Sequence, residues 1–358
     1  MTHNKITDYS KPYLIGETAF HHQGDFEFLN KLVDAGVAAG VDTLKFHLLF
    51  ELGDYFVQDH SAFQALIDLS IKMEDWTILH TKLQGMGIKP IYLCNDVAAM
   101  KWVNSLPSES VSAVEIHATG LNDIFLLKES LNFGNSVLIG TGGSTLDEIS
   151  YAIDFLRKNG KSDIILMHGF QNYPTDYKDI NLGRMKLLKD MFNLPVGYAD
   201  HTDPANKYNE YISTLPVASG FTIVEKHFTI TDEKRIDGQA AISIEQLKNV
   251  RELMDINFLA HGNDPMEMSE AEKKYGDTGP MKKAIVARRP IAKGNVIEID
   301  DIAFKRTNGS VELKQNDLSK LLGNKAIVDI DTDTPISFRH IEYAFKVPGN
   351  DQFFINKK

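Results

Sequence analysis

The chain predicts a (β/α)8 barrel followed by a small β-rich module, and three observations carry that prediction. Eight short apolar runs rich in β-branched residues alternate with longer amphipathic segments over about 250 residues. These runs end in polar residues, as the strands of barrel enzymes do at the rim where their chemistry takes place. Beyond them, short β-like runs are punctuated by Lys-Gly, Asn-Gly and Gly-Asn turns. Periodicity counts strands without closing them, so a doubly wound open sheet is the alternative.

In chain order the strand candidates are 12–20, 43–50, 89–96, 113–119, 136–143, 163–170, 195–202 and 221–228. The segments between them, such as 26–40, 62–86 with Trp76, and 145–159 ending in Asn159-Gly160, carry a 3.6-residue apolar period and plausible stops. A helix over 242–260 closes the barrel, giving a domain of residues 1–262. The charged Gly- and Pro-containing stretch 263–283 reads as a linker, 284–345 as the strand-rich module, and 346–358 as a tail. No internal repeat or low-complexity segment is apparent.

Composition bounds the function. A chain of 358 residues exceeds a single ordinary core, which fits a large domain plus a small one. The net charge of −11 and the lack of a basic face argue against a nucleic-acid partner. One cysteine, Cys94, forbids an internal disulfide and fits a reducing compartment. The N-terminus lacks a signal-peptide pattern, and no apolar run of about 18 residues is present to span a bilayer. A cytoplasmic protein without membrane contact is the expectation.

The stretch 195–229 reads as strand, loop, helix and second strand, with each strand ending in a histidine. His201 follows VGYAD and His227 follows TIVEK, and parallel strands bring both ends to one face. Two imidazoles there, with Asp200 and Glu225 beside them, suit a divalent metal. Their 26-residue spacing excludes a single-helix site, so convergence depends on the fold. The other strand ends carry Glu17 with His21 and His22, Lys45 with His47, Asn95 with Asp96, Glu115 with His117, and His168 with Gln171. Seven of the twelve histidines thus fall on one rim, although some, such as His168 and His22, could instead bond loop backbone.

These residues resemble a known family. IGETAFHHQGD (15–25), LKFH (44–47), TGGSTLDEI (141–149), QNYPTDYKDINLGRM (171–185), VGYADHT (196–202), EKHFT (225–229), KRIDGQAAIS (234–243) and FKRTNG (304–309) are similar in order and layout to the sialic acid synthases and other nonulosonic acid synthases, with their C-terminal antifreeze-like (SAF) module. The resemblance implies condensation of phosphoenolpyruvate with an open-chain amino sugar in surface-polysaccharide biosynthesis. It implies that His201 and His227 hold Mn²⁺ or Mg²⁺, and that Glu17 is the carboxylate beside metal-bound water and the sugar aldehyde. Lys45 corresponds to the lysine gripping phosphoenolpyruvate, Gln171 and Tyr173 to residues beside its phosphate, and Asp237 to the acceptor-binding aspartate. Arg306 would reach the acyl group from the partner subunit of a domain-swapped homodimer.

Departures cluster in the phosphate cradle. The family's Lys-Ile-Gly-Ser on the fourth strand appears as Glu115-Ile116-His117-Ala118; serines become Gly140 and Ala199; Asn95 replaces a threonine and His47 a glutamine; Asp237 is followed by Gly238 instead of histidine. A charge-assisted phosphate bond contributes roughly 1.5–3 kcal/mol, so losing several weakens phosphate binding by orders of magnitude. Two alternatives to the plain synthase follow. One is a metal-dependent aldolase or lyase with a changed donor, in which His47, Glu115 and His117 extend the metal site or act as acid and base; the other is a non-catalytic sugar-binding homologue.

Overall fold

The apolar runs form strands buried on both faces, as a parallel sheet sandwiched between its own interior and a ring of helices requires. A computed structural model describes residues 5–343 except 171, 173–174, 263–265, 278–280 and 309–310. It contains two compact units, Met1–Asn263 and Asp264–Lys358.

In the first unit the strands are β1 (Tyr13–Glu17), β2 (Thr43–Leu48), β3 (Ile91–Cys94), β4 (Ala113–Ile116), β5 (Ser136–Gly140), β6 (Ile164–His168), β7 (Val196–Asp200) and β8 (Ile223–Thr229). Neighbours pair in parallel throughout, and β1 also pairs with β8, closing a barrel and setting aside the open sheet. The helices are α1 (Phe26–Ala38), α2 (Leu52–Tyr55), α3 (Phe63–Leu69), α4 (Met73–Gly85), α5 (Val97–Asn104), α6 (Ile124–Ser130), α7 (Leu146–Lys158), α8 (Tyr177–Ile180), α9 (Gly183–Phe192), α10 (Asn209–Ala218) and α11 (Ile244–His261).

The helix expected over 62–86 is two helices, because the chain leaves helical geometry at Ser70–Lys72. The Ser70 hydroxyl bonds Leu66 O at 2.9 Å, a side-chain contact that competes with the helical ladder. The α7 start is a capping box, with Thr145 and Glu148 satisfying each other's backbone N–H groups.

Side chains alternate along each strand, and this sorts the core into two parts. Outward residues such as Leu14, Leu44, Phe46, Tyr92, Val114 and Val224 pack against the helix ring. Inward residues build a separate apolar floor from Tyr13, Ile15, Ile91, Ala113, Leu138, Ile165, Met167 and Ile223, with Ile6 buried against it from the segment before β1. Above this floor the inward positions become charged.

In the first unit β9 (Ile242–Ser243) pairs in parallel with β8, and the second unit holds a two-stranded antiparallel sheet. The pair is β10 (Lys283–Ala287) with β11 (Ile302–Arg306), set over a small core that includes Ile285, Ile297, Leu321 and Ile330.

Candidate active site

Register brings the inward residues together. Glu17 stands opposite Lys45 on one side and His227 on the other. Inward side chains from alternate strands share a layer in such barrels, which groups Lys45 of β2, Glu115 of β4, Met167 of β6 and Glu225 of β8. The Lys45 Nζ lies 2.7 Å from Glu225 Oε2, 3.0 Å from Glu115 Oε2 and 3.4 Å from Glu17 Oε1. All four side chains are buried.

One cation among three carboxylates divides their protonation. Burial by itself would lower the Lys45 pKa, but Glu115, Glu17 and Glu225 outweigh it and raise it, so the amine stays protonated. Burial would raise Glu17, yet Lys45 and then His227 hold it well below the usual carboxylate range. Glu225 is pushed well above that range by burial and then by the Glu17 charge, and Glu115 is raised by burial, with Lys45 opposing. Glu17 and Glu225 are thus pushed in opposite directions side by side, the arrangement from which acid and base roles are assigned.

Histidines surround this layer. His47 Nε2 lies 2.5 Å from Glu17 Oε1, and His227 Nε2 lies 3.2 Å from Glu17 Oε2. The rings of His201 and His227 have centroids 5.1 Å apart, and those of His47 and His117 are 6.2 Å apart. Burial, first among the influences, lowers His201 to about 4 and His227 to about 3, leaving both imidazoles neutral at pH 7. Neutral imidazole is the form that ligates a divalent metal, so this adjacent pair fits such an ion. Among the described residues no group of three or more His, Cys, Asp or Glu is arranged to hold a metal ion. Water or substrate would have to fill the remaining positions.

The reaction cavity, about 310 Å³, is lined by Glu17, Lys45, Glu115, His117, His201 and Glu225, together with the 140–144 loop and Glu148. Among its described lining residues Lys45 is the only lysine or arginine, against four carboxylates. The small residues are dictated by close backbone approach: a Cβ at Gly140 would lie 2.9 Å from Ala118 N, and one at Gly142 would lie 2.2 Å from Gly169 O. A serine hydroxyl at position 140 is thus excluded unless β4 and β5 separate.

Other expected residues fall elsewhere. Asp200 does not join the metal pair; strand alternation turns it outward, where it accepts from Lys226 Nζ at 2.5 Å, Ser213 Oγ at 2.7 Å and Thr202 Oγ1 at 2.7 Å. His168 likewise faces outward and its Nε2 meets Ile180 O at 2.9 Å. His22 is buried against Trp76, and its Nδ1 accepts from Gly24 N at 3.1 Å. His21 ties the strand end to the later loop through Ile236 O (2.9 Å) and Thr229 Oγ1 (2.7 Å).

Asp237 takes a left-handed backbone (φ 62°) and accepts from Phe20 N at 3.2 Å, which places it over the first strand's end. Asn95 donates to Leu48 O at 3.2 Å. Gln171 and Tyr173 lie outside the described residues. Arg306 ends β11 in the second unit, where it is exposed. Glu225 was noted in the sequence only as a neighbour of His227, yet it makes the shortest contact to Lys45. Layering of alternate strands is the signal that would have found it.

Comparison with known proteins agrees with this architecture. The model of the NeuB family matches residues 32–264, and that of the SAF domain matches 282–342. An uncharacterized protein of Methanocaldococcus jannaschii is 31% identical, covering 90% of this chain and 92% of that protein. An N,N'-diacetyllegionaminic acid synthase of Legionella pneumophila is 26% identical, covering 92% and 94%. The solved structure of a spore coat polysaccharide biosynthesis protein E from Chromobacterium violaceum shares the fold with a TM-score of 0.78 at 24% identity, covering 93% and 100%.

Proposed function

We propose, from the premise that the chain belongs to the NeuB family, that it is a nonulosonic-acid synthase joining phosphoenolpyruvate to an open-chain amino sugar. The observation that carries this is the buried layer in which protonated Lys45 faces ionised Glu17, with His201 and His227 alongside. Atoms balance with one water: C3 of the donor bonds to the aldehyde carbon, water adds at C2, and phosphate leaves. The His201–His227 pair would hold Mn²⁺ or Mg²⁺, which when bound supplies Lewis-acid polarisation of the aldehyde.

The chain's own residues do the rest. Lys45, fixed as an ammonium, anchors the donor carboxylate and is unsuited to imine formation, which needs a free amine. Glu225, whose carboxyl burial and the Glu17 charge push up, would donate to the oxygen that develops as the aldehyde is attacked. Glu17, ionised and paired with His47, accepts the proton of the water that adds at C2. Arg306, brought by a partner subunit, would bond the acyl group, and Asp237 would hold acceptor hydroxyls.

A second reading is favoured by one observation: Glu115 takes the Lys45 ammonium at 3.0 Å, from the strand position where the resemblance implies a phosphate-binding lysine. An ionised Glu115 and a phosphate charge 4 Å apart would repel by about 4 kcal/mol at an effective dielectric of 20. A donor without phosphate, such as pyruvate, avoids that cost; its methyl group yields a proton to Glu17 and its C3 adds to the same aldehyde. Assay of the purified protein with Mn²⁺ or Mg²⁺, N-acyl amino sugars and each donor separates the two. Phosphate release with a nine-carbon product supports the synthase, product from pyruvate alone supports the second reading, and no product from either sinks both.

A further inference from the structure

Asp200 and Lys226 occupy outward positions of β7 and β8, in the layer between barrel wall and helices where Tyr198, Val224 and Phe228 belong to the apolar core. Register sets the two charged residues opposite each other, and each is followed directly by one histidine of the adjacent pair, His201 or His227. We infer that the Asp200–Lys226 ion pair is a positioning device for those imidazoles, holding the two strand ends in the one arrangement in which both rings can reach a single metal ion. The inference rests on the metal-binding reading above and extends it to residues behind the barrel wall.

Donors from β7, β8 and α10 converge on one carboxylate. Asp200 Oδ2 accepts from Lys226 Nζ at 2.5 Å and from Ser213 Oγ at 2.7 Å. Its Oδ1 accepts from the Tyr198 hydroxyl at 2.8 Å, Thr202 Oγ1 at 2.7 Å and Thr202 N at 3.2 Å. Helix α10 also grips the chain just beyond, since Asn209 Nδ2 donates to Thr202 O at 2.8 Å and to Asp203 O at 2.9 Å. His201 therefore sits between two residues that are both fixed from outside the barrel. Asp200, Thr202, Asn209, Ser213 and Lys226 are all buried, so water does not compete for these bonds.

This polar cluster does something that apolar packing cannot. Two apolar side chains of similar volume would hold β7 to β8 about as firmly, because desolvation of a buried ion pair offsets much of its attraction. Apolar contact is non-directional, however, whereas a satisfied hydrogen-bond network specifies one geometry. With residues 200 and 226 locked outward, strand alternation obliges 201 and 227 to point inward together, which leaves their ring centroids 5.1 Å apart. A metal site tolerates only about 0.2 Å of error in its bond lengths, so a small rotation of either strand end would spoil it.

Calorimetric titration of the metal-free full chain with Mn²⁺, run beside urea unfolding, tests the inference. Thr202→Val removes one side-chain donor to Asp200 and should weaken Mn²⁺ binding about tenfold with little change in stability, and the double replacement Asp200→Asn with Lys226→Met should weaken it about 100-fold. The double replacement also separates positioning from support. It restores charge balance, so a merely structural pair would regain stability and affinity together, while a positioning pair regains stability and leaves affinity low. Affinity within about twofold of wild type in the double replacement overturns the inference; if that variant does not fold, Thr202→Val decides by the same limit. Mn²⁺ binding that survives His227→Ala, or no binding at all, would fell the metal reading, and the rings themselves would then decide. In proton–nitrogen correlation spectra of the metal-free protein, the His201 and His227 ring nitrogens should shift in Thr202→Val while those of His80, bonded to Tyr92 and Ser110, stay in place. Unmoved His201 and His227 signals refute the positioning role.

Discussion

At the scale of single residues, Glu115 separates an ordinary phosphate-using synthase from an altered one. Rebuilding donors with Glu115→Lys and Ala118→Ser should raise kcat/KM for phosphoenolpyruvate at least about tenfold, since a repulsion becomes an attraction. Efficient phosphate release by the unmodified protein would instead remove the altered-donor reading. His22 gives a pH prediction independent of the reaction. Burial lowers it to about 3, so the folded protein refuses a proton that the unfolded chain accepts near pH 6.5. Its contribution to stability is complete above that pH and declines as the pH falls toward about 3. His22→Phe should therefore flatten the pH dependence of urea-unfolding free energy between about pH 5 and 6 by up to about 1.4 kcal/mol per pH unit. The identities of Glu17, Lys45, His201 and His227 as inward strand-end residues were legible in the sequence. The grip of Glu115 on Lys45 was legible only as one alternative among several cations, because it joins non-neighbouring strands 70 residues apart and depends on barrel layering.

At the scale of elements, alternation along β7 and β8 sends adjacent residues to opposite jobs. His201 lines the cavity and His227 reaches Glu17, while Asp200 and Lys226 pair behind them, fully buried. Removing one partner of a buried pair leaves an uncompensated charge and costs about 3–5 kcal/mol. Lys226→Met should lower the unfolding free energy by that order, and adding Asp200→Asn should recover part of it; no loss in the single variant would show that the pair does not matter. Strand positions were readable because β-branched apolar runs have few alternatives in a doubly covered sheet. The break between α3 and α4 was not, since the apolar period passes through Leu66, Leu69, Met73 and Trp76 without a proline or glycine to mark the stop.

At the scale of the whole molecule, two units were visible as a change from long helical periods to short turn-punctuated strands. A homodimer with Arg306 supplied in trans predicts a dimer by sedimentation at micromolar concentration. Arg306→Ala should then cut kcat/KM for N-acyl sugars by about tenfold or more without dissociating it, as loss of a charged hydrogen bond implies. A strictly monomeric particle removes the trans role.

The apolar floor beneath Lys45, stoppered by Ile6, makes the barrel a vessel open at one end. Whatever lodges deepest must arrive before its co-substrate. Under the proposed condensation, initial rates should accordingly follow a compulsory order, with the donor that Lys45 would anchor leading and the sugar trailing. High sugar should trap enzyme that has lost its donor, appearing as inhibition relieved by added donor. Random-order kinetics would mean that the two reactants pass each other at the rim.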